Sequence, residues 1–105
     1  MKSNLKIFAI ICLAASICVP AFAQSGADTF KAKCLMCHGA DGLGNTPIGK
    51  AFKIVSLKDP SVVKSSNPAL EAIIKSGKNK MPAFAGKLSN AQIGAVVEYI
   101  RTLQK

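Results

Sequence analysis

Cys34-Leu35-Met36-Cys37-His38 places two thiols and an imidazole within five residues, in the pattern C-x-x-C-H. On a helical turn, thiols two residues apart can reach the two vinyl groups on neighbouring pyrroles of a haem. The histidine that follows then lies beneath the iron. Thioether bonds would keep the group in place and consume sulfurs that otherwise pair. Three other chemistries fit the same letters less well. A thioredoxin-like C-x-x-C needs a βαβ setting, which this chain does not offer. A structural zinc ion takes four N or S ligands, and Cys34, Cys37 and His38 supply three. A plain disulfide leaves His38 and the long loops unexplained.

A second iron ligand follows by elimination. His38 is the sole histidine, so two imidazoles from one monomer cannot hold the iron. Met36 lies between the anchoring cysteines and cannot reach round to the other face. Met81 stands 43 residues beyond His38, between two helical stretches, and Pro82 after it restricts its backbone. His/Met ligation raises a haem potential relative to two nitrogen ligands and is common in electron carriers. Lys78 and Lys80 are nearby amines that could take over if Met81 were lost.

Upstream of the motif, Lys2 and Lys6 precede the apolar run Ile7–Val19, and Ala21-Phe22-Ala23 closes it. This is the basic, apolar and A-x-A order of an export signal, expected to be removed as residues 1–23. The 13-residue run Ile7–Val19 would rise only about 20 Å as a helix, short of a hydrocarbon core of roughly 30 Å. Stable membrane insertion after cleavage is therefore not expected. Cleavage would remove Cys12 and Cys18, leaving Cys34 and Cys37. Without Lys2 and Lys6, 12 basic residues face 5 acidic ones, a formal charge of +7. Export points to the periplasm, or to the thylakoid lumen in a photosynthetic source, where unprotected thiols oxidise.

Residues 24–105 are expected to form one all-α domain. Ser25 and Asp28 suit the start of a helix over 27–37. Residues 39–58, with Gly39, Gly42, Gly44, Pro47 and Gly49, read as loop. Asp59-Pro60 can open one turn, through Lys64. Asn67-Pro68 repeats the device before a stripe of Leu70, Ile73 and Ile74 that ends at Gly77. After a second loop, Lys78–Lys87, Ser89 and Gln92 form a capping box ahead of Ile93, Val96, Val97, Ile100 and Leu103. Three main helices cannot by themselves hold loops of this length, which points to a large apolar group inside the fold.

These features resemble the class I c-type cytochromes, small monohaem electron carriers, over essentially all of 24–105. Gly26, Phe30, Cys34, Cys37 and His38 match the family's N-terminal helix, and Gly77 to Phe84 is similar to its methionine loop. Val96 and Tyr99 match positions where the last helix crosses the first. The resemblance implies a class I fold of three main helices and long loops around one covalent haem c. It also implies that Gly26 permits close helix contact and that the Pro47 carbonyl accepts from the second nitrogen of His38. The family's tryptophan near a propionate is missing, since the chain has no Trp.

With both axial positions filled, the iron has no open site, and the five acids (Asp28, Asp41, Asp59, Glu71, Glu98) are scattered singly. An electron shuttle is thus favoured over an enzyme, and no small-molecule substrate is expected. A haem enzyme or gas or redox sensor with a displaceable Met81 remains an alternative, as does an electron-entry subunit of a larger oxidoreductase. Lys31, Lys33, Lys50, Lys53, Lys78, Lys80 and Lys87 lie near the motif or its loops and suit redox partners with acidic docking surfaces. The lysines form no dense run and Arg101 is the lone arginine, which argues against nucleic acid.

Overall fold

The computed structural model describes residues 25–105; the expected signal segment, with Cys12 and Cys18, lies outside the described residues. Among these residues six helical segments follow in order: α1 (Gly26–Lys33), α2 (Leu35–His38), α3 (Pro47–Ala51), α4 (Pro60–Val63), α5 (Asn67–Ser76) and α6 (Asn90–Leu103). Among the described residues there is no strand, only isolated bridges at Lys78–Met81 and Ala85–Leu88. The all-α expectation holds. No helix among them is long and apolar enough to cross a membrane.

Five of the six helices start with a side-chain oxygen on an otherwise unpaired backbone N–H. Ser25 accepts from Asp28, Thr46 from Gly49, Asp59 from Ser61 and Ser66 from Ala69. Ser89 and Gln92 close the expected capping box at α6, at 3.1 and 2.8 Å. Three local expectations need correction. The helix expected over 27–37 is divided at Cys34, whose φ of −117° ends α1 and opens α2. The stretch 39–58 is not all loop, because Thr46-Pro47 starts α3 with the same cap-and-proline device as Asp59-Pro60. The cap of α5 is Ser66 rather than Asn67, whose amide instead accepts from Arg101 Nε at 2.9 Å and donates to Glu98 at 3.2 Å.

The core joins Phe30 of α1, Leu70 and Ile74 of α5, and Ile93, Val96, Val97 and Ile100 of α6, with Leu57, Phe84 and Leu88 from the connections. α1 packs against α6 through Gly26. A Cβ there would stand 2.6 Å from the Ala95 carbonyl carbon and closer still to its oxygen. One turn on, the Phe30 and Tyr99 rings meet with centroids 5.3 Å apart and planes tilted by 60°. This crossing holds α1, and through it the Cys34–His38 turn, against the longest helix among the described residues.

Candidate functional site

A cavity of about 410 Å³ opens beside α1 and α2 and is lined by Cys34, Cys37, His38 and Met81 together. The rest of its wall is largely apolar, including Phe30, Leu57, Leu70, Ile74, Phe84, Val96 and Ile100. That size lies within the range of cofactor sites, and four potential ligating groups converge on it.

The Cys34–His38 turn is built by backbone hydrogen bonds. Cys34 N–H donates to Phe30 at 2.8 Å, while His38 N–H donates to the Cys34 carbonyl at 2.9 Å. Gly39, with φ +80°, ends the turn. Met36 points outward and is 69% exposed, in keeping with its expected exclusion as a ligand. Both cysteines are free thiols. Burial, and secondarily the neighbouring Cys37, push the Cys34 pKa up to about 11. Burial lowers the His38 pKa and so favours the neutral imidazole, the form that can ligate a metal.

His38 Nδ1 is buried and has no hydrogen-bond partner. The bond to the Pro47 carbonyl implied by family resemblance is therefore not formed. Pro47 is the first residue of α3, so its carbonyl is directed along that helix. The backbone around His38 is instead held from the side: Gly44 N–H donates to the His38 carbonyl at 2.8 Å, and Thr46 Oγ1 donates to the Cys37 carbonyl at 3.0 Å.

Met81 sits in a tight reversal. Lys78 N–H donates to the Met81 carbonyl at 3.1 Å and Met81 N–H to the Lys78 carbonyl at 2.9 Å, with Asn79 at φ +54° in the turn. The returning chain then caps α5. Phe84 N–H donates to the Ile74 carbonyl at 3.0 Å and Ala85 N–H to the Lys75 carbonyl at 3.1 Å. Two helix-end carbonyls that would otherwise lack partners thus fix the loop that carries Met81.

Two features escaped the sequence reading. Arg101 directs its guanidinium at the Asn67 side chain, at the Val63 carbonyl (3.3 Å), the Ser65 carbonyl and Gln104 Oε1 (2.9 Å). Gln104 donates to the Leu57 carbonyl at 2.8 Å. Leu57 and Val62 belong to the cavity wall, so the end of α6 secures that wall. A lone arginine in the last turn of an amphipathic helix was the available signal. The second feature is at the mouth, where Lys80 Nζ lies 5.5 Å from the Phe52 ring centroid and joins two lining loops. Of the seven lysines noted above, Lys33, Lys53, Lys78 and Lys80 line the cavity.

The residues fit a covalently held haem: two unpaired thiols, a half-buried imidazole and a thioether converge on one largely apolar cavity. Comparison with known proteins points the same way. The family model described as cytochrome C oxidase, cbb3-type, subunit III matches residues 21–100. Cytochrome c6 of Synechococcus sp. is 38% identical over 106 aligned positions, covering 95% of this chain and 91% of that protein. Cytochrome c6 of Nostoc sp. is 32% identical over 103 positions, covering 90% of each. Among solved structures, the KustC0563 c-type cytochrome matches with a TM-score of 0.71 at 26% identity, over 78% of this chain and 100% of that one.

Proposed function

The chain belongs to the small class I c-type cytochromes, and on that premise we propose that it carries single electrons on one haem c held by Cys34, Cys37, His38 and Met81. It is an electron-transfer protein rather than an enzyme. The observation that carries the residue assignment is the convergence of these four side chains on one apolar cavity. Cys34 and Cys37 would hold the haem through thioethers, and His38 and Met81 would ligate the iron. Bound there, the iron supplies a one-electron ferric/ferrous couple. The chain's own part is to keep both ligands still and to exclude water. The doubly bonded reversal at Met81 and the pinned backbone of His38 serve the first purpose, and the apolar wall serves the second.

Oxidised and reduced absorption spectra of the mature protein, followed by carbon monoxide added to the reduced form, test this reading. Low-spin bands, a methionine–iron charge-transfer feature and no response to carbon monoxide are expected. Rapid carbon monoxide binding would remove Met81 as a ligand and favour a sensor or catalyst.

Its partners are redox proteins, and those with acidic docking surfaces fit best. Lys33, Lys53, Lys78 and Lys80 line the cavity, and Phe52 and Val55 beside them are 45% and 56% exposed. Association should weaken as salt screens these charges. Removal of residues 1–23 and residence in the periplasm complete the proposal; N-terminal sequencing of the periplasmic protein should begin at Gln24. The family description favours one further reading, an electron-entry subunit of an oxidase, which would copurify with a permanent partner.

A further inference from the structure

We propose that Thr46 is a positioning residue for the proximal side of the haem site, acting through the backbone of the turn that carries His38. Groups behind a metal ligand set its orientation and tune the metal. The peptide on either side of His38 is held by hydrogen bonds. Thr46 Oγ1 donates to the Cys37 carbonyl at 3.0 Å and accepts from Gly49 N–H at 2.9 Å, so one hydroxyl ties the attachment turn to the first turn of α3. Gly44 N–H holds the His38 carbonyl at 2.8 Å. Gly49 has no room for a side chain, because a Cβ would stand 2.5 Å from the Cys37 carbonyl oxygen. α3 therefore sits directly on the turn, with the Thr46 hydroxyl as the side-chain link between them.

The proposal rests on His38 as an iron ligand. Thr46→Val keeps the shape and suits the extended backbone of this residue (φ −99°, ψ 162°), but it removes both bonds. The Cys37 carbonyl and Gly49 N–H would then take water beside His38. Water there favours the more highly charged ferric state and lowers the midpoint potential.

Redox titration of the haem-loaded wild type, Thr46→Val and Thr46→Ser provides the test. Thr46→Val should shift the ferric-to-ferrous equilibrium about tenfold toward ferric, while Thr46→Ser, which keeps the hydroxyl, should stay within about twofold of wild type. An unchanged potential in Thr46→Val, or an equal shift in Thr46→Ser, overturns the role of the hydroxyl. A wild type that is not low-spin and six-coordinate would instead overturn the ligand assignment, which separates the two failures. Should Thr46→Val not take up haem, amide exchange in the loaded wild type decides. Gly49 N–H should exchange at least about tenfold slower than exposed loop amides, and free exchange there rejects the proposal.

Discussion

Gly77 stands directly against Met81: a Cβ built on it would come within 2.6 Å of the Met81 carbonyl oxygen and 2.9 Å of the Ala83 nitrogen. Its φ of +74° also lies where an L side chain is strained. Gly77→Ala must therefore displace the reversal that presents Met81. The reduced, haem-loaded variant should bind carbon monoxide and lose the methionine–iron charge-transfer feature. Its stability should fall by about 1–3 kcal/mol in urea titration.

The helix crossing at Gly26 is equally intolerant, because the obstacle is the Ala95 backbone rather than a side chain that can turn away. Gly26→Ala should cost about 1–3 kcal/mol by overpacking. The attachment motif keeps its sequence, so covalent haem should still be detectable in the soluble fraction. The melting temperature of that fraction is the quantity to compare with wild type.

Arg101 reaches the Val63 and Ser65 carbonyls, Asn67 and Gln104 with one planar fork. A lysine carries the charge but cannot serve these directions at once. Arg101→Lys should destabilise the protein by about 1–3 kcal/mol. It should also speed amide exchange in the 57–65 segment, which forms part of the cavity wall. Exchange mapped by mass spectrometry should show the change confined to that segment.

Asp59 accepts from Ser61 Oγ at 2.6 Å and Ser61 N–H at 2.9 Å, and these bonds hold its carboxyl below the usual carboxylate range. A depressed folded-state pKa gives stability that is present above the unfolded value, about 3.9, and lost as pH falls through the lower folded value. Asp59→Ala should thus be less stable than wild type at neutral pH, and the gap should narrow below about pH 4. Urea midpoints collected between neutral and acid pH check the sign.

Features written in short-range chemistry were legible in the sequence. The C-x-x-C-H spacing, the Ser25 and Ser89/Gln92 caps and the apolar stripes of α5 and α6 each depend on residues within a turn or two of one another. Elimination singles out Met81, since no second histidine competes, and the fold brings Met81 to the same cavity as His38. α3 was hidden because Thr46-Pro47 is embedded among glycines that read as loop, although the same device was recognised at Asp59-Pro60. The bonds of Arg101 to Val63, Ser65 and Asn67, and of Gln104 to Leu57, join residues 34 to 47 positions apart, and no local pattern encodes them. The unpartnered Nδ1 of His38 depends on where α3 directs its first carbonyls, which only the assembled fold determines.

The crossing of α1 and α6 also sets an order of events during synthesis. α1 and the attachment motif emerge early, while the helix that α1 packs against is the last of the six to be made. Until residues 90–103 follow, Gly26 and Phe30 lack their partners Ala95 and Tyr99, and the cavity lacks the Val96 and Ile100 part of its wall. A threading chain would therefore present Cys34 and Cys37 on an unclosed surface for the whole interval. A truncation before α6 should therefore leave both thiols open to alkylation.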